Sequence, residues 1–282
     1  MDTPRRGCHR GVAMKRVHTV ELEDFDWFPT QLRTYMTNLL VVLARLVGVT
    51  PVLAKLVGRT LDDLGTRRIV DLGSGSGGVM PDVVRQLRSE ADHADVELTL
   101  SDLHPNPDAV ARFSGDDGIR YAAERVDATD LAEAPPGLKT MVNCFHHMRP
   151  DQARKILASA RDARQPLLVY EMSDNTVPFV VWLLLLPLVL PLVAISAWVL
   201  TPMVRPLTPG QLVFTYLVPI VPICYAWDGQ TSMPRIYGLA DLDELLEELQ
   251  GDGYRWEKGP ATDESGKKTG IYLLGVPTDD AA

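Results

Sequence analysis

Gly73-Ser74-Gly75-Ser76-Gly77-Gly78 is a glycine-rich run that follows an aspartate, Asp71, by two positions. Glycines between a strand and a helix let the backbone tighten and approach a ligand, while the helix start offers free N–H groups. Gly73, Gly75 and Gly78 also satisfy the G-x-G-x-x-G spacing of a dinucleotide site. The Asp71 carboxylate separates the ligands: it would repel a pyrophosphate and attract a ligand bearing an ammonium and a sulfonium. The plain alternative is a glycine turn that only packs helix on strand. A second constellation is Phe145-His146-His147-Met148. Two adjacent imidazoles can take a proton from a nucleophile or hold an acceptor hydroxyl, because histidine titrates near neutrality. They can equally cap the next helix or sit buried and hydrogen-bonded; His146 is the preferred base. Glu171 is a second-rank candidate that could also serve only as an anchor.

The elements that must hold these residues are legible as hydrophobic periods. Leu32, Tyr35, Met36, Leu39, Leu40, Leu43, Leu46 and Val47 recur every three or four positions, which predicts helix over 30–64 with a break at Gly48 and Pro51. Short apolar strands follow at 68–72, 96–102, 119–127, 138–145 and 166–171, with helices at 79–89 and 151–163 between them. Strands alternating with helices imply a parallel sheet covered on both faces. Later come an amphipathic helix, 239–250, and two strands, 254–258 and 270–276, joined by Asp263-Glu264-Ser265-Gly266. Strands that close together must pair antiparallel. The expected architecture is therefore α/β: a mostly parallel seven-stranded sheet ending in an antiparallel pair, with an apolar helical insertion after the fifth strand.

The run Val70-Asp71-Leu72-Gly73-Ser74-Gly75-Ser76-Gly77, Asp102 at the end of the second strand, and Val126-Asp127-Ala128-Thr129 after the third resemble the class I S-adenosylmethionine-dependent methyltransferases. The resemblance covers about residues 66–172 and 239–277 and implies a Rossmann-like methyltransferase fold. It implies that Asp71 and the backbone of Gly73, Ser74, Gly75 and Gly77 hold the methionine end of S-adenosyl-L-methionine. Asp102, with Leu103 beside it, would take the ribose hydroxyls, Asp127 and Ala128 the adenine, and Asn143 and Cys144 would line the transfer site. Asp102 as a turn cap and Asp127 as a solvated loop carboxylate are the duller readings.

Composition narrows the class further. A net charge of -9 and a pI of about 5.2 argue against a partner bound by broad phosphate neutralisation, so no nucleic acid is expected. Cys8, Cys144 and Cys224 have no metal-ligand spacing and cannot build a disulfide framework, so no metal is expected and a reducing compartment is the default. From Asn175 to Trp227 the only charge in 53 positions is Arg205. Val177–Leu200 is long enough for a membrane helix, but Pro187 and Pro191 lie inside it; Leu212–Trp227 is shorter and holds Pro219 and Pro222. These prolines favour a broken, shallow hairpin dipping into one leaflet, with a two-pass hairpin and a soluble lid as the competing readings. The organisation reads as a disordered basic tail over 1–16, a helical extension over 17–65, a cofactor-binding catalytic domain over 66–172 and 238–282, and a membrane-associated insertion over 173–237.

In the resembled fold the segment after the fifth strand lies beside the transfer site, and here it is the greasiest part of the chain. The expected function is methyl transfer to a lipid or other hydrophobic small molecule at a membrane surface, with the catalytic domain on the cytoplasmic side. Trp27, Asp228, Arg235 and Tyr237 are candidates for the acceptor head group, as are Glu23 and Asp24; a plain return loop would explain the stretch around Asp228 as well. The alternative function is a non-catalytic membrane scaffold or sensor that binds S-adenosylmethionine.

Overall fold

A parallel sheet with helices on both faces needs strands whose side chains are apolar in both directions. Ile69 and Leu168 point into one core and their neighbours Val70 and Val169 into another, as the two-residue strand period requires. The computed structural model describes residues 14–115, 118–251 and 253–278. Helices α1 (Thr30–Leu46) and α2 (Val49–Leu64) precede β1 (Arg68–Leu72), followed by α3 (Met80–Leu87), β2 (Glu97–Ser101), α4 (Pro107–Arg112) and β3 (Ile119–Tyr121). Then come β4 (Leu138–Val142), α5 (Pro150–Asp162), β5 (Leu167–Glu171), and the insertion helices α6 (Phe179–Leu200), α7 (Pro209–Leu212) and α8 (Ile220–Thr231). Helix α9 (Leu239–Leu246) and strands β6 (Tyr254–Thr262) and β7 (Lys268–Pro277) complete the described chain.

The sheet has seven strands in the order β3-β2-β1-β4-β5-β7-β6. Strands β1 to β5 are parallel to their neighbours, and β7 runs antiparallel to both β5 and β6. The architecture expected from the sequence is the one found. Boundaries differ where backbone chemistry intervenes. Strand β4 stops at Val142 because Asn143 takes a left-handed φ of 55°, and Phe145–His147 forms a 3-10 turn. Strand β3 stops at Tyr121, so Arg125 to Asp127 lie outside it. Helix α2 starts at Val49, earlier than expected, because Pro51 falls in its first turn, where a missing N–H breaks no helical bond.

Helices α2 and α3 cover one sheet face, α5 and α9 the other. A third core joins Phe28 and the α1 residues Tyr35, Met36 and Leu39 to Ala197 and Leu200 of α6 and Val221 of α8. The N-terminal extension is thus divided: α2 belongs to the sheet, and α1, turned 83° away from it, belongs to the insertion. Of the expected basic tail, residues 1–13 lie outside the described residues. Lys15 and Arg16 are docked on the domain, through Lys15 N–H to Asp241 and the Arg16 guanidinium to the carbonyls of Arg235 and His146.

The insertion departs from the expected broken hairpin in one arm. Helix α6 runs unbroken through Pro187 and Pro191. Those prolines are four residues apart, so both lost hydrogen bonds fall on one face and the rest of the ladder holds. The second arm does break, with a π-helical turn over Val213–Leu217 and an 82° bend before α8. Within α6 only Ala197 and Leu200 are buried. Leu184, Leu188 and Leu192, spaced by one turn, form a bare apolar face, at 76%, 64% and 59% exposure.

Candidate functional site

The C-terminal ends of β1, β2 and β4 bring the glycine turn and its acidic partners together. Asp71 is buried, and its two carboxylate oxygens accept hydrogen bonds of 2.6 Å from the Ser74 and Thr140 hydroxyls. Burial pushes its carboxyl up to about 7, against the pull of those hydroxyls. Ser74 is also buried; its N–H donates to Ser101 O, so it ties β1 to β2. Asp102 is half-buried and accepts from Gly75 N–H at 3.0 Å and His104 N–H at 2.8 Å. Val126 N–H donates to Asp102 O, which carries Asp127 and Ala128 to the same edge. Asp127 Oδ1 accepts from the backbone and hydroxyl of Thr129, bonds that hold its carboxyl below the usual range. Leu103 is exposed beside Asp102. Cys144 Sγ lies over Gly73, and Asn143 Oδ1 accepts from Met172 N–H, joining β4 to the end of β5.

The turn glycines do different work. Gly75 has φ +51° and nothing within 4 Å of where a Cβ would stand, so its backbone faces open space. A Cβ on Gly77, at φ +111°, would meet Phe113 Cε2 at 2.7 Å. Gly77→Ala should therefore lose about 1–3 kcal/mol of stability by overpacking, with backbone strain in addition. Gly75→Ala should cost only about 1 kcal/mol, the left-handed penalty. Thermal unfolding of both variants checks the order; equal melting temperatures would contradict it.

A second constellation lies beside the first. His146 is buried, its N–H donates to Glu171 Oε1 at 3.0 Å, and its Nδ1 pairs with Glu171 Oε2 at 2.9 Å. Its Nε2 faces Glu21 Oε1 at 3.9 Å. His147 Nδ1 pairs with Asp24 Oδ1 at 2.8 Å and faces Glu21 Oε2 at 3.5 Å, while its Nε2 faces Glu23 at 3.6 Å. Burial opposes charge on His147, but the Asp24 hydrogen bond and the carboxylates of Glu21, Glu23 and Asp24 raise it to about 9. It is therefore a cation at neutral pH and unsuited to act as a base. Burial holds Glu23 above the usual carboxylate range; Asp24, despite partial burial, is held well below it by His147 and Arg235.

The expected acceptor ligands are mostly turned inward. Arg235 is fully buried, with Nη1 3.0 Å from Glu21 Oε1 and 2.6 Å from Asp24 Oδ2. Asp228 accepts the N–H groups of Leu22 and Glu23, at 2.7 Å and 3.1 Å, and caps the short 3-10 turn Leu22–Asp24. Tyr237 is buried under the Arg16 guanidinium and donates to Met148 O. These three hold the N-terminal segment across the sheet edge. Trp27 is exposed and stacks on Phe25. Glu21, Arg16 and Thr140 were not among the expected site residues. Glu21 belongs to a visible acidic run, but nothing in the spacing marks it as the member that is buried.

No protein-family model matches the chain, and no curated protein does. Among solved structures it is similar to TnmH, at 17% identity and a TM-score of 0.44 over 83% of this chain and 55% of that one. It is also similar to NcsB1, an O-methyltransferase from neocarzinostatin biosynthesis solved with S-adenosyl-L-homocysteine, at 15%, 0.41, 75% and 49% on the same measures. For the plantazolicin methyltransferase BamL the figures are 10%, 0.47, 88% and 98%. The chain thus spans about half the length of TnmH and NcsB1. The strand order, the five-strand parallel ladder and the reversed β7 give this chain the Rossmann-like fold of class I S-adenosylmethionine-dependent methyltransferases.

Proposed function

We propose that the protein transfers a methyl group from S-adenosylmethionine to a lipid or another hydrophobic small molecule at a membrane. One juxtaposition carries the reading: the exposed Gly73 and Gly75 backbone with its acidic neighbours shares an edge with the His146–Glu171 pair, and the chain leaves that edge after β5 into the bare apolar helix α6. NcsB1 and BamL, which share the fold, were solved with S-adenosyl-L-homocysteine, in keeping with that cofactor. In the reaction the C–S bond breaks with its electron pair going to sulfur, while an acceptor atom forms the new C–O, C–N or C–C bond. A hydroxyl acceptor must also lose a proton. Glu171 occupies His146 Nδ1, which leaves Nε2 to hold the acceptor hydroxyl or take its proton. A small, mostly apolar cavity of about 130 Å³ lies between Trp182, Leu185 and Val189 of α6 and Met233 and Pro234, in keeping with an apolar ligand.

Calorimetry with S-adenosylmethionine, followed by labelled-methyl transfer onto a lipid extract, tests the proposal. Tight NAD binding with no response to S-adenosylmethionine would overturn it. Binding should also depend on pH. The buried Asp71 carboxyl titrates at about 7, so below that it is largely neutral. A cationic ligand favours its ionised form, and affinity should rise as pH increases from about 5.5 to 8, with proton release on binding. Asp71→Asn should flatten that dependence. A flat profile in the wild type would remove Asp71 from cofactor binding.

A further inference from the structure

The geometry points to a buried divalent transition-metal site, of the zinc class, formed by Glu21, His146 and His147. No metal was expected from the sequence, where only the cysteines were weighed as ligands; Glu21 lies 125 residues before His146. One ligand atom from each lies within 4.8 Å of the other two. The measured gaps, 3.9 Å from His146 Nε2 and 3.5 Å from His147 Nδ1 to the Glu21 oxygens, are near the ligand–ligand edge of about 3.4 Å in a tetrahedral zinc centre.

Three independent observations favour a cation here. Glu21 is fully buried and neither carboxylate oxygen makes a hydrogen bond of good geometry; Oε1 is ion-paired with Arg235 at 3.0 Å, and Oε2 faces His147 at 3.5 Å, a place a metal bond would fill. Glu171 grips His146 Nδ1 and so aims Nε2 inward, the carboxylate–histidine support common behind metal ligands. Four carboxylates (Glu21, Glu23, Asp24 and Glu171) face the Arg235 guanidinium and the His147 cation, with the Arg16 guanidinium on the carbonyls of Arg235 and His146. This formally leaves one negative charge, and a metal ion would take the place of the His147 proton. Arg235 Nη1 is the competitor, 3.0 Å from Glu21 Oε1; Oε2 faces His147. Metal binding at His147 Nδ1 replaces its hydrogen bond to Asp24. Glu21 comes from the N-terminal segment and the histidines from the loop after β4, so the ion would fasten that segment across the sheet edge. Three protein ligands also leave a position for water or an acceptor oxygen. The metal site itself does not depend on the methyl-transfer reading; with an ion bound, His146 Nε2 is a ligand, so the proton-accepting role given to that atom applies to the metal-free protein.

The test is a Co²⁺ titration of the full chain after chelator treatment, under reducing conditions. The wild type should bind one equivalent with the visible bands of four- or five-coordinate cobalt, displaced by Zn²⁺. Glu21→Gln and His146→Ala should abolish those bands, and Glu171→Gln should weaken binding about 10–100-fold. Absent bands, or bands unchanged in Glu21→Gln, would overturn the site; so would intense near-ultraviolet thiolate bands, which mean cysteine ligation. If a variant fails to fold, the wild type still decides: Zn²⁺ should slow tryptic cleavage at Lys15 and Arg16, and an unchanged rate counts against the site. S-adenosylmethionine affinity, measured separately, shows whether the methyl-transfer reading stands when the metal fails.

Discussion

A protein carrying Leu184→Lys, Leu188→Lys and Leu192→Lys together should move from the membrane pellet to the soluble fraction. The wild type should sediment with membranes, resist a high-salt wash and need detergent for release. The three leucines lie on the bare face of α6 and take no part in the core that joins α1, α6 and α8. A charge at the centre of a bilayer helix costs about 2.5–3.5 kcal/mol, so three would weaken insertion by more than about 10⁴-fold. Because no packed residue is touched, melting temperature and cofactor affinity should hold. This is a cleaner test than excising 177–227, which would strip the partners from Tyr35, Met36 and Leu39. A wild type that is soluble and monomeric without detergent, or a triple variant that still needs detergent, would defeat the membrane reading.

His146→Ala should lower methyl transfer by about 10²–10⁴-fold while leaving S-adenosylmethionine affinity within about twofold, the signature of a group that serves the acceptor rather than the cofactor. The glycine turn and Asp102 directly follow β1 and β2, and the imidazole is held from β5 through Glu171. Glu171→Gln keeps the shape but replaces the carboxylate that orients the ring, so it should show a smaller loss in the same direction. His147→Ala should instead loosen the N-terminal segment, since His147 is already a cation bound to Asp24. Turnover preserved in His146→Ala would assign the His146–Glu171 pair to structure alone.

The sequence by itself determined what depends on neighbours along the chain. Two-residue and three-to-four-residue hydrophobic periods set the order of strands and helices, and Asp71 with its glycines marked the strand-to-helix turn. The near-absence of charge from Asn175 to Trp227 marked the insertion. The tertiary structure decided where side chains point and which distant residues meet. Asp228, Arg235 and Tyr237 read equally well as exposed contacts or as buried ties, because each has an apolar stem or ring and a polar end. Folding buried them against Leu22, Glu21 and Met148. Pro187 and Pro191 read as breaks, but their shared face let α6 continue. Glu21 meets His146 and Arg235 across 125 and 214 positions of the chain, and no local period encodes such a meeting. Its partners follow only from the packing that lays the N-terminal segment over the ends of β4 and β5, where desolvated charges must find one another.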